Sequence, residues 1–295
     1  MKKLFHFGAC ALLSVSLNVS AAAFIVAHPD DIELFMNRNV AGDLAAGAHS
    51  VFIVTTAGDA GNGNKGLNLH GVPYYRARLN GHEAALRFLQ GSNGNALEKT
   101  RYSTEVIGQY AIEKASFGNV VIYNLNLPDG NMDGSGFSGT GNQSLRRLLD
   151  GRIATIASVD GKNTYTLSGL KTVVQNLISI NHKASPAVWV NIQDHDAQLN
   201  PGDHVDHMST GELVSSALHQ RPYSCINMAH FQDYSIAGLP ENMSVEEKNL
   251  HVGTWGALNA GLINSGNYPT WEPGHNSWLG RQYYRVEYGS GSCNF

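Results

Sequence analysis

The chain has 295 residues, 42% hydrophobic and only 15% charged, enough to bury a sizeable core as one large α/β domain or two small ones. Its formal charge of −4 argues against nucleic acid, which asks for a basic face, and against electrostatic docking to anionic lipid. The 32 glycines point to many turns and long loops.

Met1-Lys2-Lys3 is a basic start, Leu4 to Leu17 is mostly apolar, and Val19-Ser20-Ala21 fits a small-residue cleavage site. The run is shorter than the about 20 residues of a membrane span. Residues 1–21 therefore read as a cleaved secretory signal and residues 22–295 as a single domain, exported to the periplasm or secreted, with no stable membrane insertion. Loss of Lys2 and Lys3 leaves 18 basic against 24 acidic residues, a formal charge of −6. Loss of Cys10 leaves Cys225 and Cys293, an even count in an oxidising compartment, which predicts a disulfide tying the tail to the last strand.

Ala23 to Val26 is a short apolar strand that stops at Ala27-His28-Pro29-Asp30-Asp31-Ile32-Glu33, directly ahead of a helix-like stretch, Leu34 to Ala46. Such strand-to-helix corners are where open α/β sheets bind ligands. His28 and Asp31 can turn inward there to hold a divalent cation, which leaves Asp30 to handle a proton. The plainer alternative is that the two acids only cap the helix. Ser50 to Thr55 is the second strand. The loop from Ala57 to Val72 contains Gly61-Asn62-Gly63-Asn64-Lys65-Gly66, which spells a dinucleotide fingerprint, but no helix opens on its last glycine, so it reads as a loop.

Tyr74 to Gln90 reads as a helix and Asn119 to Leu125 as the third strand, followed by Leu127-Pro128-Asp129-Gly130 and an irregular stretch from Asn131 to Asn142. Leu145 to Ile156 and Ser168 to Ile180 look helical, with a turn at Lys162 to Tyr165 between them. Ala187 to Ile192 is the fourth strand and His207 to Ala217 the helix after it. Tyr223 to His230 contains a further strand, Val245 to Ala257 a helix, and the aromatic tail Trp271 to Tyr288 packs back on the sheet. Strands alternating with helices argue an α/β fold with a doubly wound, mostly parallel, Rossmann-like sheet, helices on both faces and an irregular C-terminal tail.

Behind the fourth strand stands Asp203-His204-Val205-Asp206-His207. Two histidines three apart share one side of a helical turn, and this is another strand-to-helix corner. The first and fourth strands of such a sheet tend to flank its topological switch point. His28, Asp31 and one of His204 or His207 can then converge on one ion. Two nitrogens and a carboxylate oxygen suit zinc, and three protein ligands leave a position open, as in catalytic sites.

His28-Pro29-Asp30-Asp31 with a downstream His204-Val205-Asp206-His207 resembles the PIG-L/LmbE-like family of zinc-dependent N-deacetylases, and the export signal points to its exported bacterial members. Thr56 to Gly61, Tyr74 to Arg78, Leu127 to Gly130 with Ser144-Leu145, and Val159-Asp160-Gly161 with Tyr165-Thr166 extend the likeness from about Phe24 to His230. The resemblance implies that His28, Asp31 and His207 ligate Zn2+, or another divalent transition metal, at one ion per chain. It implies that Asp30 is the general base, that His204 assists the oxyanion and the leaving amine, and that Arg78 and Asp129 contact the sugar and its attached group. It implies a substrate of the N-acetylglucosamine type, free or in a glycoconjugate, from which acetate is released. Two departures stand out: the first motif reads D-D-I-E, which displaces Glu33 by one, and Gly202 stands where some members carry a tyrosine.

The chemistry agrees with the residues. Bound zinc lowers the pKa of its water to about 7, Asp30 can accept the proton, and His204 can stabilise charge on the carbonyl oxygen. The rival readings are a metal-dependent esterase or phosphoesterase and a glycan-binding protein without catalysis. Phosphoester chemistry often recruits two metals and basic clamps, of which little beyond Arg76 and Arg78 is in sight, and an intact Asp30 would be idle in a binding protein. Serine catalysis finds no support, since Gly136-Phe137-Ser138-Gly139-Thr140 lacks the second glycine of a nucleophile elbow. His49, His70, His82, His182, His219, His251 and His275 lack ligand-like spacing and read as surface or satisfied core groups. His195 reads as a loop histidine bonded to an adjacent acid, and most rings of Tyr268, Trp271, Trp278, Tyr283 and Tyr284 as core packing rather than sugar-stacking faces.

Overall fold

The computed structural model describes residues 21–65, 71–94, 98–183, 188–219, 223–291 and 293. The signal expected over residues 1–21 therefore lies, but for Ala21, outside the described residues, as do His70 and the end of the glycine-rich fingerprint. In chain order the strands and helices are β1 Ala21–Val26, α1 Asn37–Ala45, β2 Ser50–Thr56, α2 Tyr74–Ser92, β3 Arg101–Ile107, β4 Tyr110–Phe117, β5 Val120–Leu127, α3 Leu145–Leu149, β6 Ile156–Ala157, β7 Thr164–Tyr165, α4 Leu167–His182, β8 Val188–Gln193, α5 Val205–Leu218, β9 Asn227–Gln232, α6 Val245–Asn264 and β10 Tyr283–Glu287.

Eight strands form one sheet in the order β10-β9-β8-β1-β2-β5-β4-β3. The five central strands run parallel. β2 and β5 are buried along their whole length, as near-continuous apolar runs covered on both faces should be. One face carries α3, α4 and α5 over Ile25, Ile53, Leu125, Val190 and their neighbours. The other carries α1, α2 and α6 over Phe24, Phe52, Ile122 and Phe231. The sheet is thus mixed α/β, mostly parallel, with helices on both sides. Among the described residues no helix is long and apolar enough to cross a membrane.

Three elements differ from the sequence reading. The hairpin β3–β4 was not expected; its antiparallel pairing from Arg101↔Ser116 to Ile107↔Tyr110 adds an edge that alternates buried and half-buried on β4 and is largely exposed on β3. Its alternation is the ordinary mark of a half-buried strand. The helix expected over Leu145 to Ile156 stops at Leu149, because Gly151 takes a left-handed φ of 70°, which glycine adopts at no steric cost, and Ile156 then pairs with Tyr165 in a separate two-stranded ribbon. The tail is not wholly irregular: β10 pairs antiparallel with β9, from Tyr283↔Gln232 to Glu287↔Met228. Cys225 and Cys293 form the expected disulfide, with Cα atoms 5.2 Å apart. Closing 68 residues of chain stabilises the fold by about 4 kcal/mol in the chain-entropy picture.

Topology decides where ligands go. From β1 the chain builds outward through β2 and β5 on one side and later through β8 and β9 on the other. The crevice between the carboxyl ends of β1 and β8 is the switch point of this sheet, and it brings residue 28 beside residue 207.

Candidate metal centre and active site

His28 follows β1 directly, and the next turn, Ile32–Met36, is wound as a π-helix before α1 begins. Such wide turns recur at functional sites. Pro29 and Asp30 carry the chain round the corner, and Asp31 turns back under it. Oδ2 of Asp31 accepts hydrogen bonds from the His28 N–H at 2.6 Å and from the Gln193 side chain at 3.0 Å. That leaves Oδ1 facing the crevice.

Three buried ligand atoms meet there. Asp31 Oδ1 is 3.1 Å from His207 Nε2 and 3.6 Å from His28 Nδ1, and the two nitrogens are 3.1 Å apart. A tetrahedral ion with bonds of about 2.1 Å holds its ligand atoms about 3.4 Å apart, so this triangle has the size a zinc-class ion needs. His204 stands outside it.

Each imidazole of this triangle has an acid at its back. His207 Nδ1 donates to Asp203 Oδ1 at 2.8 Å, with Asp233 Oδ2 behind at 3.4 Å. His28 Nε2 faces Asp206 Oδ2 at 3.4 Å, and that same oxygen accepts the Gly130 N–H at 2.7 Å. A Cβ on Gly130 would collide with Asp206, so the Leu-Pro-Asp-Gly turn needs a glycine there. Carboxylates in this position fix the tautomer and raise the basicity of ligating histidines. The sequence reading gave neither Asp203 nor Asp206 a part in the site.

These acids make the site a place for positive charge. Burial pushes His28 down, but Asp31 and Asp206 override it and hold the imidazole at about 10. His207 is likewise lowered by burial and raised well above its ordinary value by Asp203 and Asp31. Burial would raise Asp31; His207 and His28 hold it well below the usual carboxylate range. The positive charge that stabilises Asp31 there is what a bound cation would supply.

His204 behaves differently. It is the N-cap residue of α5, and its Nδ1 accepts the Asp206 N–H at 3.1 Å. A ring whose Nδ1 is an acceptor carries its proton on Nε2. Burial, with His28 and His207 close by, pushes its pKa down to about 2, so the ring stays neutral. Its Nε2–H lies 3.9 Å from Asp129 Oδ1. Asp129 is itself held in place, with its N–H on Asp59 Oδ1 at 2.8 Å and its Oδ1 accepting from Asn131 N–H at 2.9 Å.

Asp30 points to the open side of the crevice, where the Arg78 guanidinium donates to its Oδ1. Arg78 also donates to the Gly58 carbonyl at 2.8 Å, and a Cβ on Gly58, where φ is +55°, would run into that guanidinium. Asp30, Arg78 and Asp129 therefore share one wall with His28, Asp31 and His204, around a cavity of about 170 Å³.

The remaining wall comes from Tyr234, which the sequence reading passed over, and from His275 and Trp278, to which it gave no part in the site. Tyr234, His275 and Trp278 line the same cavity. Tyr234 stacks on Trp278 with centroids 4.8 Å apart and meets the His207 ring edge-on at 5.2 Å. Burial raises its hydroxyl to about 12, so it stays a neutral donor. His275 is half-buried at the cavity wall, with its Nδ1 bonded within its own turn, and a tyrosine reaches the pocket although Gly202 holds the position where one was missed. Neither has a local signal, since both stand on short 3₁₀ turns. Glu33 turns away from the site into a buried pair with His82 Nδ1 at 2.8 Å; His82 is the core group it was read as, though its Nε2 has no hydrogen-bond partner among the described residues.

The profile of the family described as PIG-L: GlcNAc-PI de-N-acetylase matches residues 23–218. No curated protein matches the chain. Among solved structures, the chain is similar to an N,N'-diacetylchitobiose deacetylase from Pyrococcus horikoshii at 17% identity and a TM-score of 0.49, over 91% of this chain and 84% of that one. It is similar to an antimicrobial A40926 pseudoaglycone deacetylase at 13% and 0.46, over 83% and 82%. It is also similar to a 4-carboxy-2-hydroxymuconate hydratase from Pseudomonas putida at 11% and 0.41, over 88% and 82%.

Proposed function

The chain belongs to the PIG-L family, and from that premise we propose that it is a zinc-dependent hydrolase that removes the acetyl group from an N-acetylglucosamine-type sugar or glycoconjugate and releases acetate. The observation that carries this reading is the triangle of His28 Nδ1, Asp31 Oδ1 and His207 Nε2, with Asp30 and a His204 Nε2–H on its open side. His28, Asp31 and His207 would hold the metal. When bound there, zinc would polarise the acetyl carbonyl and ease deprotonation of water at neutral pH.

The chain's own groups do the rest. Asp30 is oriented by Arg78 through one oxygen and, among the described residues, its other oxygen accepts no hydrogen bond, which suits it to take the proton of the attacking water. The neutral His204 donates from Nε2 to the carbonyl oxygen as charge builds there. The bond that breaks joins the acetyl carbon to the sugar nitrogen; the proton held by Asp30 passes to that nitrogen, and acetate and a free amine depart. Tyr234 and Trp278 shield this side of the ligands from water. The disulfide between Cys225 and Cys293 supports export.

The test is acetate release from N-acetylated amino sugars by zinc-loaded protein, before and after removal of the metal with a chelator. We expect release that a chelator abolishes and zinc restores. Release that survives complete loss of the metal would overturn the proposal.

A further inference from the structure

Side chains alternate between the two faces of the sheet where β8 ends. Gln193 turns to the crevice and donates to Asp31, and Asp194 goes to the opposite face with Ile192. His230 on β9 pairs with Ile192 and shares that face. A Cβ on Gly211 of α5 would collide with the Gln193 carbonyl and crowd His195, so the helix lies directly over this corner. One ligand-type atom from each of Asp194, His195 and His230 lies within 4.8 Å of the other two. We propose that these three residues bind a second divalent transition-metal ion of the zinc class, apart from the triangle of His28, Asp31 and His207 and more weakly than that triangle does.

His230 is the residue that points to a ligand. Its ring is 1% exposed, and neither nitrogen has a hydrogen-bond partner among the described residues. Glu287 Oε2 stands 3.4 Å from the Nε2, but the other oxygen of Glu287 is already 2.7 Å from His219 Nε2. An unbonded buried polar group costs about 1–3 kcal/mol, and such a group calls for an ion or a water. His195 Nδ1 is also buried and unpartnered. That nitrogen is not bonded to an adjacent acid as the sequence suggested; Arg285 holds Asp194 instead, with Nε on Oδ2 at 2.7 Å and a terminal nitrogen on Oδ1 at 2.9 Å. The two rings have centroids 5.9 Å apart, against 5.0 Å for His28 and His207.

Two imidazole nitrogens and a carboxylate oxygen suit an ion of this class. Burial, with Arg285 nearby, holds His230 below its ordinary value, so the neutral ring offers a lone pair. Ligating carboxylates are themselves hydrogen-bonded, and Arg285 and the Asp196 N–H fill that part for Asp194. The guanidinium charge weakens the site. So does the looser spacing, which the half-buried His195 closes by turning its ring. An ion here would fasten the end of β8 to β9. It would also steady Asn200, whose Nδ2 donates to the Asp194 carbonyl at 3.3 Å and to Asp203 Oδ2 at 2.7 Å.

The experiment dialyses metal-free protein against Zn2+ and counts ions per chain by atomic spectroscopy. Wild type should take up two, the second about tenfold or more weakly than the first. Asp31→Ala should lose the tighter ion and keep the weaker one. His195→Ala should do the reverse, with kcat/KM for acetate release unchanged. Zn2+ should also raise the melting temperature of Asp31→Ala, because an ion that binds only the folded chain stabilises it. One ion at saturation in wild type, two in His195→Ala, or a melting temperature of Asp31→Ala that Zn2+ leaves unmoved would each overturn the second site. The count needs no turnover, so a chain that takes up both ions and never releases acetate would sink the deacetylase reading and leave this one standing.

Discussion

Two buried histidine–carboxylate clusters sit within one turn of each other and do different things. Asp31 faces the crevice with His28 and His207, while Glu33, two residues on, turns into the opposite core and pairs with His82. Both acids are buried, and burial pushes both upward. In the first cluster two cationic partners overcome burial, and Asp31 ends well below its ordinary range. In the second, His82 offsets only part of it, and Glu33 stays raised. The first brings three ligand-type atoms to one point; the second joins one nitrogen to one oxygen and, among the described residues, leaves Glu33 Oε2 and His82 Nε2 without a hydrogen-bond partner. Convergence, not residue type, distinguishes a candidate metal centre from a core pair.

The largest expected effects come from breaking the first cluster. Asp31→Ala removes a ligand, so zinc per chain by atomic spectroscopy and acetate release should fall together. Asp30→Asn should keep the metal and lower kcat by about 100- to 10,000-fold. Full activity in Asp30→Asn would remove the base assignment.

His204→Ala tests the donor that stands beside the triangle without belonging to it. Metal content should stay near normal while kcat falls about 100- to 1,000-fold. With a pKa near 2 the ring is neutral at all ordinary pH values, so the wild-type rate profile should show no acid limb that disappears in this variant. Loss of zinc in His204→Ala would mean that the second motif ligates through a different histidine.

Asp203→Asn loosens the His207 ring without touching the ion, and zinc affinity should drop by about 10- to 100-fold in a competition titration. In the second cluster, His82→Ala leaves a buried carboxyl without its partner. Denaturant unfolding should show a loss of about 3 kcal/mol, with zinc content of the folded fraction unaltered. Zinc loss in that variant would tie the two clusters together.

The smallest effect is on pH. Burial holds His182 and His251 down to about 4, so the unfolded chain, with ordinary histidines near 6.5, binds more protons than the folded one between those values. Stability should therefore fall as pH drops from about 6.5 to 4 and be fully present above it. A melting temperature flat across that window would show that these rings find water when protonated.

The sequence by itself determined the elements with strong local signals: the apolar runs that became β1, β2, β5 and β8, the helices α2, α4 and α6, and the two strand-to-helix corners. It also set the donor types, because imidazole and carboxylate at corner positions admit few other uses. The β3–β4 hairpin was legible in its alternation and was passed over. Other features had no local trace. His204 and His207 have the same chemistry, and only the cap bond that uses up His204 Nδ1, together with the depth of His207 in α5, decides which one joins His28 and Asp31 in the triangle. Asp203 and Asp206 look like caps until each is seen behind a ring. His28 and His207 are 179 residues apart, and their nitrogens meet because β8 is laid beside β1. Sequence spacing reports which side of one helix or strand a residue occupies; which corners face each other follows from strand order, and that is set by burying both faces of the sheet at once.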